Sequence, residues 1–290
     1  MNPNRSTKPE FARPSSTRGT HMKNFNPSKL VLTSALVAAI GAIALTITRA
    51  QSSSEHPEVS LFGGTLSSYA ELDPAGNVLE AGVIVPMTMI ENAPATMDMS
   101  KPMIPKADAV LEFPEVVRKT TFLNHLGLFW NPMGHHPATR YGAAHWDFHF
   151  FTIQPSQAEK IDCSDLTQGD PKAVAPGWLP PVSPNAPAKQ FCVPLMGFHS
   201  GPVTEFKAPG VFLDGQFEKV MIGGYYQGRY HFIEPMITKT LLEQRKSFSL
   251  PVPAPVSIGQ TTRYPTKFNA TFETASNAYR FAFSGFVPIK

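Results

Sequence analysis

The chain has 290 residues, of which 25 are basic and 22 are acidic. Seven of the basic residues but only one acidic residue precede Gln51, which leaves 18 basic and 21 acidic residues in the rest of the chain. This slightly acidic remainder has no basic stripe, so its composition excludes the usual nucleic-acid binders. It is about 240 residues long, which is enough for one sizeable domain, and it has no internal repeat.

The N-terminal segment predicts export. Residues 1–21 are rich in Ser, Thr, Pro and Arg, and we interpret them as a leader or an expression-derived extension. Residues 22–50 are predicted to be a signal peptide, because Lys23 and Lys29 precede an uncharged apolar run that ends in Thr48-Arg49-Ala50. The protein is therefore expected to be periplasmic or secreted. The alternative is an uncleaved anchor, which would be its only contact with a membrane.

The cysteines agree with export. Cys163 and Cys192 flank a proline-rich segment, and an oxidising compartment would join them in a disulfide. Closing this loop would stabilise the fold by ~3 to 4 kcal/mol. A pair of thiolate metal ligands is the weaker alternative, because neither cysteine belongs to a Cys-x-x-Cys motif.

Short strands separated by turns predict an all-β fold, either a β-sandwich or a barrel, with one short helix and long Pro-rich loops. Residues 51–60 are expected to be a disordered mature N-terminus and residues 61–290 a single β domain. Segments 65–72 and 78–85 flank a Pro-Ala-Gly turn and predict a hairpin. Segment 122–131 is expected to pair with a strand that begins at Ala144. Further strands are expected at 211–213, 217–226, 229–233, 269–274 and 279–287, and the helix at 238–246, capped by Thr238.

The strand that begins at Ala144 has an unusual polar face. His145, Asp147 and His149 alternate with Trp146, Phe148 and Phe150, so the two sets point to opposite sides of the strand. Two imidazoles that bracket a carboxylate on a buried strand require partners.

A divalent metal ion is one such partner. Zinc is the first choice, with iron or manganese as alternatives, because imidazole and carboxylate are ligands that these ions share. Residues four apart on a strand are separated by roughly 13 Å, so all three side chains of this strand are not expected to bind one ion directly. His135 and His136, in the turn before the strand, are the nearest source of further ligands. The alternative without metal is a network in which Asp147 orients both histidines by hydrogen bonds.

Later segments add polar residues to this prediction. His199 and Glu205 flank a short turn, and Glu234 lies at the end of the 229–233 strand, where Pro235 is expected to stop the ladder. Period-two alternation places Tyr230, Phe232 and Glu234 on one face and His231 on the other. Burying these groups separately would be costly, so we predict that seven residues converge in one pocket: His135, His145, Asp147, His149, His199, Glu205 and Glu234.

Four segments also carry a family resemblance: Gly134-His135-His136-Pro137, His145-Trp146-Asp147-Phe148-His149-Phe150, Met196-Gly197-Phe198-His199 and Glu234-Pro235-Met236-Ile237-Thr238. They are similar to the Gly-His-x-Pro, His-Phe-Asp-Phe-His-Phe, Met-Gly-x-His-Trp and Glu-Pro-Met-Ile-Thr motifs of a family of exported bacterial proteins of unknown function. The resemblance implies that His135, rather than His136, takes the family position. Trp146 and Ser200 depart from it, because the family has Phe and Trp there. It implies a shared site and export, without naming a substrate.

Three classes of function follow. The first is a metal-dependent enzyme, either a hydrolase with zinc or an oxygenase with iron, in which Glu205 or Glu234 acts as general base. The second is a non-catalytic protein that binds a small molecule in the same cleft. The third is an assembly protein, a homo-oligomer whose histidines respond to pH. Motifs of nucleotide-binding proteins, zincins and Gly-x-Ser-x-Gly hydrolases are absent from the sequence.

Overall fold

The computed structural model describes residues 51–52, 56–97, 106–167, 173–179, 187–208 and 210–290. The predicted leader and signal peptide lie outside these residues. The first ten strands are β1 (Gln51–Ser52), β2 (Glu58–Leu61), β3 (Gly64–Leu72), β4 (Val78–Pro86), β5 (Ala109–Glu112), β6 (His125–Asn131), β7 (His145–Phe151), β8 (Trp178–Leu179), β9 (Cys192–Val193) and β10 (Gly197–Pro202).

The remaining described strands are β11 (Phe206–Ala208), β12 (Val211–Phe212), β13 (Lys219–Tyr226), β14 (Arg229–Thr238), β15 (Phe248–Pro251), β16 (Thr262–Tyr264), β17 (Lys267–Glu273), β18 (Ala278–Ser284) and β19 (Val287–Ile289). The described α-helices are α1 (Met87–Glu91), α2 (Glu115–Thr120), α3 (Ala138–Tyr141), α4 (Pro155–Ala158) and α5 (Lys239–Glu243). Two of the strands, β1 and β2, differ from the disorder expected for residues 51–60.

The strands form two large antiparallel sheets. The seven-stranded sheet has the order β1-β3-β4-β18-β17-β15, with β2 paired to β3. The eight-stranded sheet has the order β5-β6-β7-β14-β13-β10-β8, with β9 paired to β10. Two small two-stranded sheets, β11-β12 and β16-β19, lie outside them.

The two sheets pack face to face. Phe148 of β7 contacts Phe281 of β18 with ring centroids 4.9 Å apart, and Phe150 contacts Phe283 at 4.8 Å. All four rings are fully buried in one hydrophobic core that draws on both sheets. The predicted all-β class is therefore confirmed, and of its two architectures the structure is the β-sandwich.

The predicted local elements are largely confirmed. The first hairpin is β3-β4, and its turn is closed by the Asp73 carboxylate, which accepts hydrogen bonds from the backbone of Ala75 and Asn77. The Thr238 hydroxyl caps α5 by accepting from Leu241 N. The expectation of a single helix is wrong, because α1 to α4 also form. Each has four to six residues, which is too short to give a helical period in the sequence.

Strand β14 differs from its prediction in two ways. It continues through Pro235 to Thr238, where Pro235 pairs with Met221. The pairing with β13 also shifts between Gly224 and Tyr225, so that His231 is an extra residue in β14 without a partner in β13. A β-bulge of this kind breaks the period of two. Tyr230 therefore joins the inter-sheet core, whereas Phe232 packs in a separate cluster on the other side of the sheet.

The predicted disulfide between Cys163 and Cys192 is confirmed, with the two Cα atoms 5.8 Å apart. Cys192 lies on β9 and pairs with Phe198 of β10, the residue before His199. The bridge therefore holds the strand that carries one of the predicted site residues. None of the helices among the described residues is long and apolar enough to cross a membrane.

Candidate metal centre

The polar residues of β7 lie on the face of the eight-stranded sheet that points away from the inter-sheet core. Trp146 and Phe148 belong to that core, as the alternation predicted. Strand β6 pairs with β7 so that Asn131 lies opposite His145, and strand β14 pairs on the other side with Thr238 opposite His145. These flanking strands fix the outer face on which the site is built.

The first group of possible ligands consists of His135, His145 and Asp147, which we call the first triad. His145 Nε2 lies 3.2 Å from Asp147 Oδ1, and His135 Nε2 lies 3.4 Å from Asp147 Oδ2. Ligand atoms on a tetrahedral zinc ion lie roughly 3.3 Å apart when each bond is 2.0–2.1 Å. The two distances end on different oxygens of Asp147, and the ligand atoms of the first triad all lie within 4.8 Å of one another, so the group could hold one ion.

Hydrogen bonds on the far side of each ligand orient the first triad. His145 Nδ1 donates to the carbonyl of Ala143 at 2.7 Å, and His135 Nδ1 donates to the carbonyl of His136 at 2.9 Å. These bonds place the proton on Nδ1 and leave a lone pair on Nε2 that faces the triad. The Asn131 amide donates to Asp147 Oδ2 at 2.7 Å and fixes the carboxylate.

The turn that carries His135 is closed by a glycine. Gly134 has a φ of 65°, and a Cβ there would lie 2.2 Å from the Tyr141 carbonyl oxygen. That carbonyl accepts a hydrogen bond from His135 N at 2.9 Å. Helix α3 therefore holds the His135 backbone against the end of β7.

The second triad consists of His149, His199 and Glu234. Glu234 Oε2 lies 3.2 Å from His149 Nε2 and 3.8 Å from His199 Nε2. Strand β14 pairs with β7 in a constant register, in which Ile233 lies opposite Phe150 and Met236 opposite Asp147. The same register places Glu234 opposite His149. The structure thus divides six of the seven predicted residues between two neighbouring groups.

Several facing atoms of the two triads are buried and have no hydrogen-bond partner among the described residues: His145 Nε2, Asp147 Oδ1, His149 Nε2 and Glu234 Oε2. The carboxylates and imidazoles lie close together, but these atoms form no hydrogen bond with each other. Leaving such groups unsatisfied costs about 1–3 kcal/mol each, and more for charged ones. The buried His, Asp and Glu groups could therefore hold metal ions, and the network without metal fits less well.

The aromatic surroundings make the site a low-dielectric one. Phe217 packs edge-on against His145 at 5.0 Å between centroids, and Phe232 contacts His149 at 4.7 Å. The His145 and His149 side chains are essentially inaccessible, whereas the His135 side chain is 39% exposed and that of His199 19%. Solvent therefore reaches each triad beside one histidine.

Burial and charge shift the ionisation of these groups. Burial acts to raise the pKa of Asp147, but electrostatic interaction with His145 and the contact with His135 hold it well below its usual value. Burial acts to lower the pKa of His135, but its contact with Asp147 raises it above the ordinary value. Asp147 is therefore ionised and available as a ligand at neutral pH.

The second triad is shifted towards neutral forms. Burial, followed by the charge of Asp147, raises the pKa of Glu234 well above its usual value. Burial, followed by the charge of His199, holds the pKa of His149 well below 6.5, and burial, followed by the charge of His135, lowers that of His199 to about 4. Neutral imidazole is the form that binds a metal ion.

Glu205 does not belong to either triad, which corrects the prediction of one seven-residue pocket. Its two oxygens accept hydrogen bonds from Arg140 Nε and Nη2, both at 2.7 Å, and Tyr141 Oη donates to Oε2 at 3.1 Å. A carboxylate held in this way is satisfied by an ion pair, so it needs no place in the site. The Tyr141 ring lies 5.6 Å from that of His135 and connects the ion pair to the first triad.

Sequence reasoning missed Asn131, Arg140 and Tyr141 as parts of the site. Asn131 ends the strand that pairs with β7, so its position opposite His145 could have suggested a partner for Asp147. The partnership of Arg140 with Glu205 joins residues 65 positions apart, and no local signal predicts it.

Comparisons with known proteins add nothing to this geometry. No protein-family model matches the chain, and neither a curated protein nor a solved structure does so. The resemblance to a family of exported bacterial proteins stays a prediction.

Proposed function

We propose that the protein is a metal-dependent hydrolase whose catalytic ion is held by the first triad, His135, His145 and Asp147. Catalytic zinc sites have three protein ligands and keep a further position for water or substrate. Two histidines and one carboxylate satisfy this requirement, and the partly exposed His135 leaves an approach for substrate.

One observation carries the proposal. His145 Nε2 and Asp147 Oδ1 are buried 3.2 Å apart without a hydrogen-bond partner, while His145 Nδ1 is held by Ala143. A protein that used these residues only for stability would be expected to join the two atoms by a hydrogen bond. An ion between them satisfies both.

The surrounding residues have separate roles in this proposal. Asn131 fixes the Asp147 carboxylate, and the Ala143 and His136 carbonyls orient the two imidazoles. Phe217 and Tyr141 exclude water from the inner side of the triad. A bound zinc ion would lower the pKa of its water to about 7, which supplies a nucleophile at neutral pH. Neither Glu205 nor Glu234 is needed as the general base.

Zinc suits the proposed setting. It has no redox chemistry, so its charge stays constant in the oxidising compartment that the disulfide favours. An exported, periplasmic or secreted location and kinship with the exported bacterial family belong to the same proposal, and the Cys163–Cys192 bridge supports the location. The second candidate is an iron oxygenase, because two histidines and one carboxylate are also the ligands of non-haem iron enzymes.

The test combines metal content with hydrolysis. Protein stripped with chelator and reloaded with zinc is assayed on p-nitrophenyl acetate, p-nitrophenyl phosphate and bis(p-nitrophenyl) phosphate. We expect zinc-dependent hydrolysis of at least one ester, and a loss of at least ~100-fold in His145→Ala. His136→Ala is the matched control, because alanine keeps the backbone carbonyl that accepts from His135 Nδ1 and the His136 side chain belongs to neither triad.

Two results would contradict the proposal. One is a protein that retains no zinc after buffer exchange. The other is hydrolysis that is equal in His145→Ala and His136→Ala. Activity that requires iron and oxygen instead of zinc would favour the second candidate.

A further inference from the structure

The second triad is built from residues that the proposed hydrolase does not use. His149 follows Asp147 by two positions on the same face of β7, so their Cα atoms are roughly 6.6 Å apart. Glu234 comes from the adjacent strand β14, and His199 from β10, two strands beyond β14. Three strands thus deliver the ligands of the second triad beside those of the first.

Two atoms of the second triad have the same unsatisfied state as their counterparts in the first. His149 Nε2 and Glu234 Oε2 lie 3.2 Å apart, and neither has a hydrogen-bond partner among the described residues. The Glu234 side chain is 2% exposed and that of His149 1%, so bulk solvent does not supply the missing hydrogen bonds.

We propose that the second triad, His149, His199 and Glu234, binds a second divalent ion beside the one held by the first triad. The inference goes beyond the proposed function, which needs one ion. It assigns Glu234 as a ligand and not as a general base. The two sites lie on one face of the eight-stranded sheet, because Asp147 and His149 are two residues apart on β7.

The charges of the described residues fit two ions better than one. Asp147 and Glu234 are both buried carboxylates in the site. The Arg140 guanidinium, which is near the first triad in the sequence, already forms an ion pair with Glu205. It is therefore not available to neutralise Asp147 or Glu234. A divalent ion in each triad would neutralise the negative charge of the carboxylate there and leave a net positive charge. Solvent reaches this charge beside His135 and His199, which are partly exposed. Such a centre favours an anionic substrate group.

The experiment counts ions in protein reloaded with zinc and freed of unbound metal by gel filtration. We expect about two ions per chain in the native protein and about one in Glu234→Gln, which keeps the volume of the side chain but weakens the ligand. His145→Ala should also retain about one ion, now in the second triad. His56→Ala is the control and should match the native protein, because His56 is exposed and belongs to neither triad.

A measurement on the native protein alone guards against variants that fail to fold. Calorimetric titration of metal-free protein with cobalt(II) should show two binding events, and far-UV circular dichroism reports whether each variant is folded. One ion in the native protein, unchanged in folded Glu234→Gln, would overturn the second site and leave the proposed function standing. An absence of any bound ion would overturn both. Two ions retained in folded Glu234→Gln would place the second ion elsewhere.

Discussion

Among the single residues, the described histidines differ in whether a ring nitrogen faces a carboxylate. Those of the two triads do, whereas His125 and His231 contact backbone carbonyls and aromatic rings. His231 Nε2 hydrogen-bonds the Met196 carbonyl at 2.7 Å, and His125 Nδ1 hydrogen-bonds the Ile153 carbonyl at 2.9 Å. Both rings stack near Phe151, at 6.0 and 4.8 Å between centroids, and neither belongs to a triad. We therefore assign these two histidines to stability.

A pH prediction follows for His231. Burial lowers its pKa to about 4, whereas the unfolded chain has the ordinary value near 6.5. The unfolded state thus binds the proton first, so the stabilising contribution of neutral His231 is complete above about pH 6.5 and is lost as pH falls towards 4. The loss amounts to about 3 kcal/mol at most. His231→Gln, which retains a donor for Met196, should remove this part of the pH dependence.

Urea denaturation at pH 7 and pH 4.5 measures this effect. We expect a smaller difference in unfolding free energy between the two pH values for His231→Gln than for the native protein. His136→Gln serves as the exposed control and should behave as the native protein does. An identical pH dependence in all three proteins would contradict the assignment.

Asn131 gives a second prediction for a single side chain. Its amide donates to Asp147 Oδ2 at 2.7 Å, so Asn131→Ala frees the carboxylate to rotate away from the first triad. Partners of metal ligands typically contribute 10–100-fold in affinity. We expect zinc affinity at the first triad to fall by about that factor, with little change in the second triad. Competition with a fluorescent zinc chelator provides the measurement, and unchanged affinity would remove Asn131 from the site.

At the scale of elements, helix α3 is held in place by the pair of Arg140 and Glu205. The Arg140 side chain is 15% exposed and that of Glu205 8%, so removing one partner leaves a largely buried charge. Such changes cost up to about 3–5 kcal/mol. Because the Tyr141 carbonyl of this helix bonds His135 N, the loss should also weaken zinc binding at the first triad.

A double-mutant cycle tests this link. Arg140→Met and Glu205→Gln should each lower the unfolding free energy and the zinc affinity, and the double variant should recover part of both. The matched control is Lys207→Met, because Lys207 pairs with Asp214 on an exposed hairpin and its loss should cost under about 1 kcal/mol. Zinc affinity that stays constant throughout the cycle would show that α3 does not position His135.

The strands also show how far sequence reasoning extends. The alternation of β7 predicted its polar face correctly, because a strand has a fixed period of two. Division of the polar residues into two triads was not predictable, because it depends on the register of β14 against β7. Strand β14 also has a bulge at His231 in its pairing with β13 and continues past Pro235, and both features depend on pairing with neighbouring strands. Single-strand periodicity therefore placed Phe232 and Tyr230 on the same face incorrectly.

At the scale of the whole molecule, the disulfide supports one half of the site. Cys192 pairs with Phe198 next to His199, and both cysteines pack with Phe198 and Tyr225. Replacing both cysteines by serine should lower the unfolding free energy by ~3 to 4 kcal/mol, since the unfolded chain gains freedom. Zinc binding at the second triad should weaken more than at the first, because the ligands of the first come from β7 and its preceding turn.

Equilibrium unfolding and zinc titration of the Cys163→Ser/Cys192→Ser variant measure both effects. The native protein under reducing conditions provides a control in which the sequence is unchanged. Equal weakening of the two triads would contradict the local role of the bridge, and an unchanged unfolding free energy would contradict its contribution to stability.

Anomalous diffraction at the zinc edge, from crystals of the zinc-loaded protein, tests the central claim most directly. We predict a peak about 2.0–2.2 Å from His135 Nε2, His145 Nε2 and one Asp147 oxygen. Well-ordered side chains without a peak between them, joined by direct hydrogen bonds or by water, would contradict the claim and leave a polar network in its place.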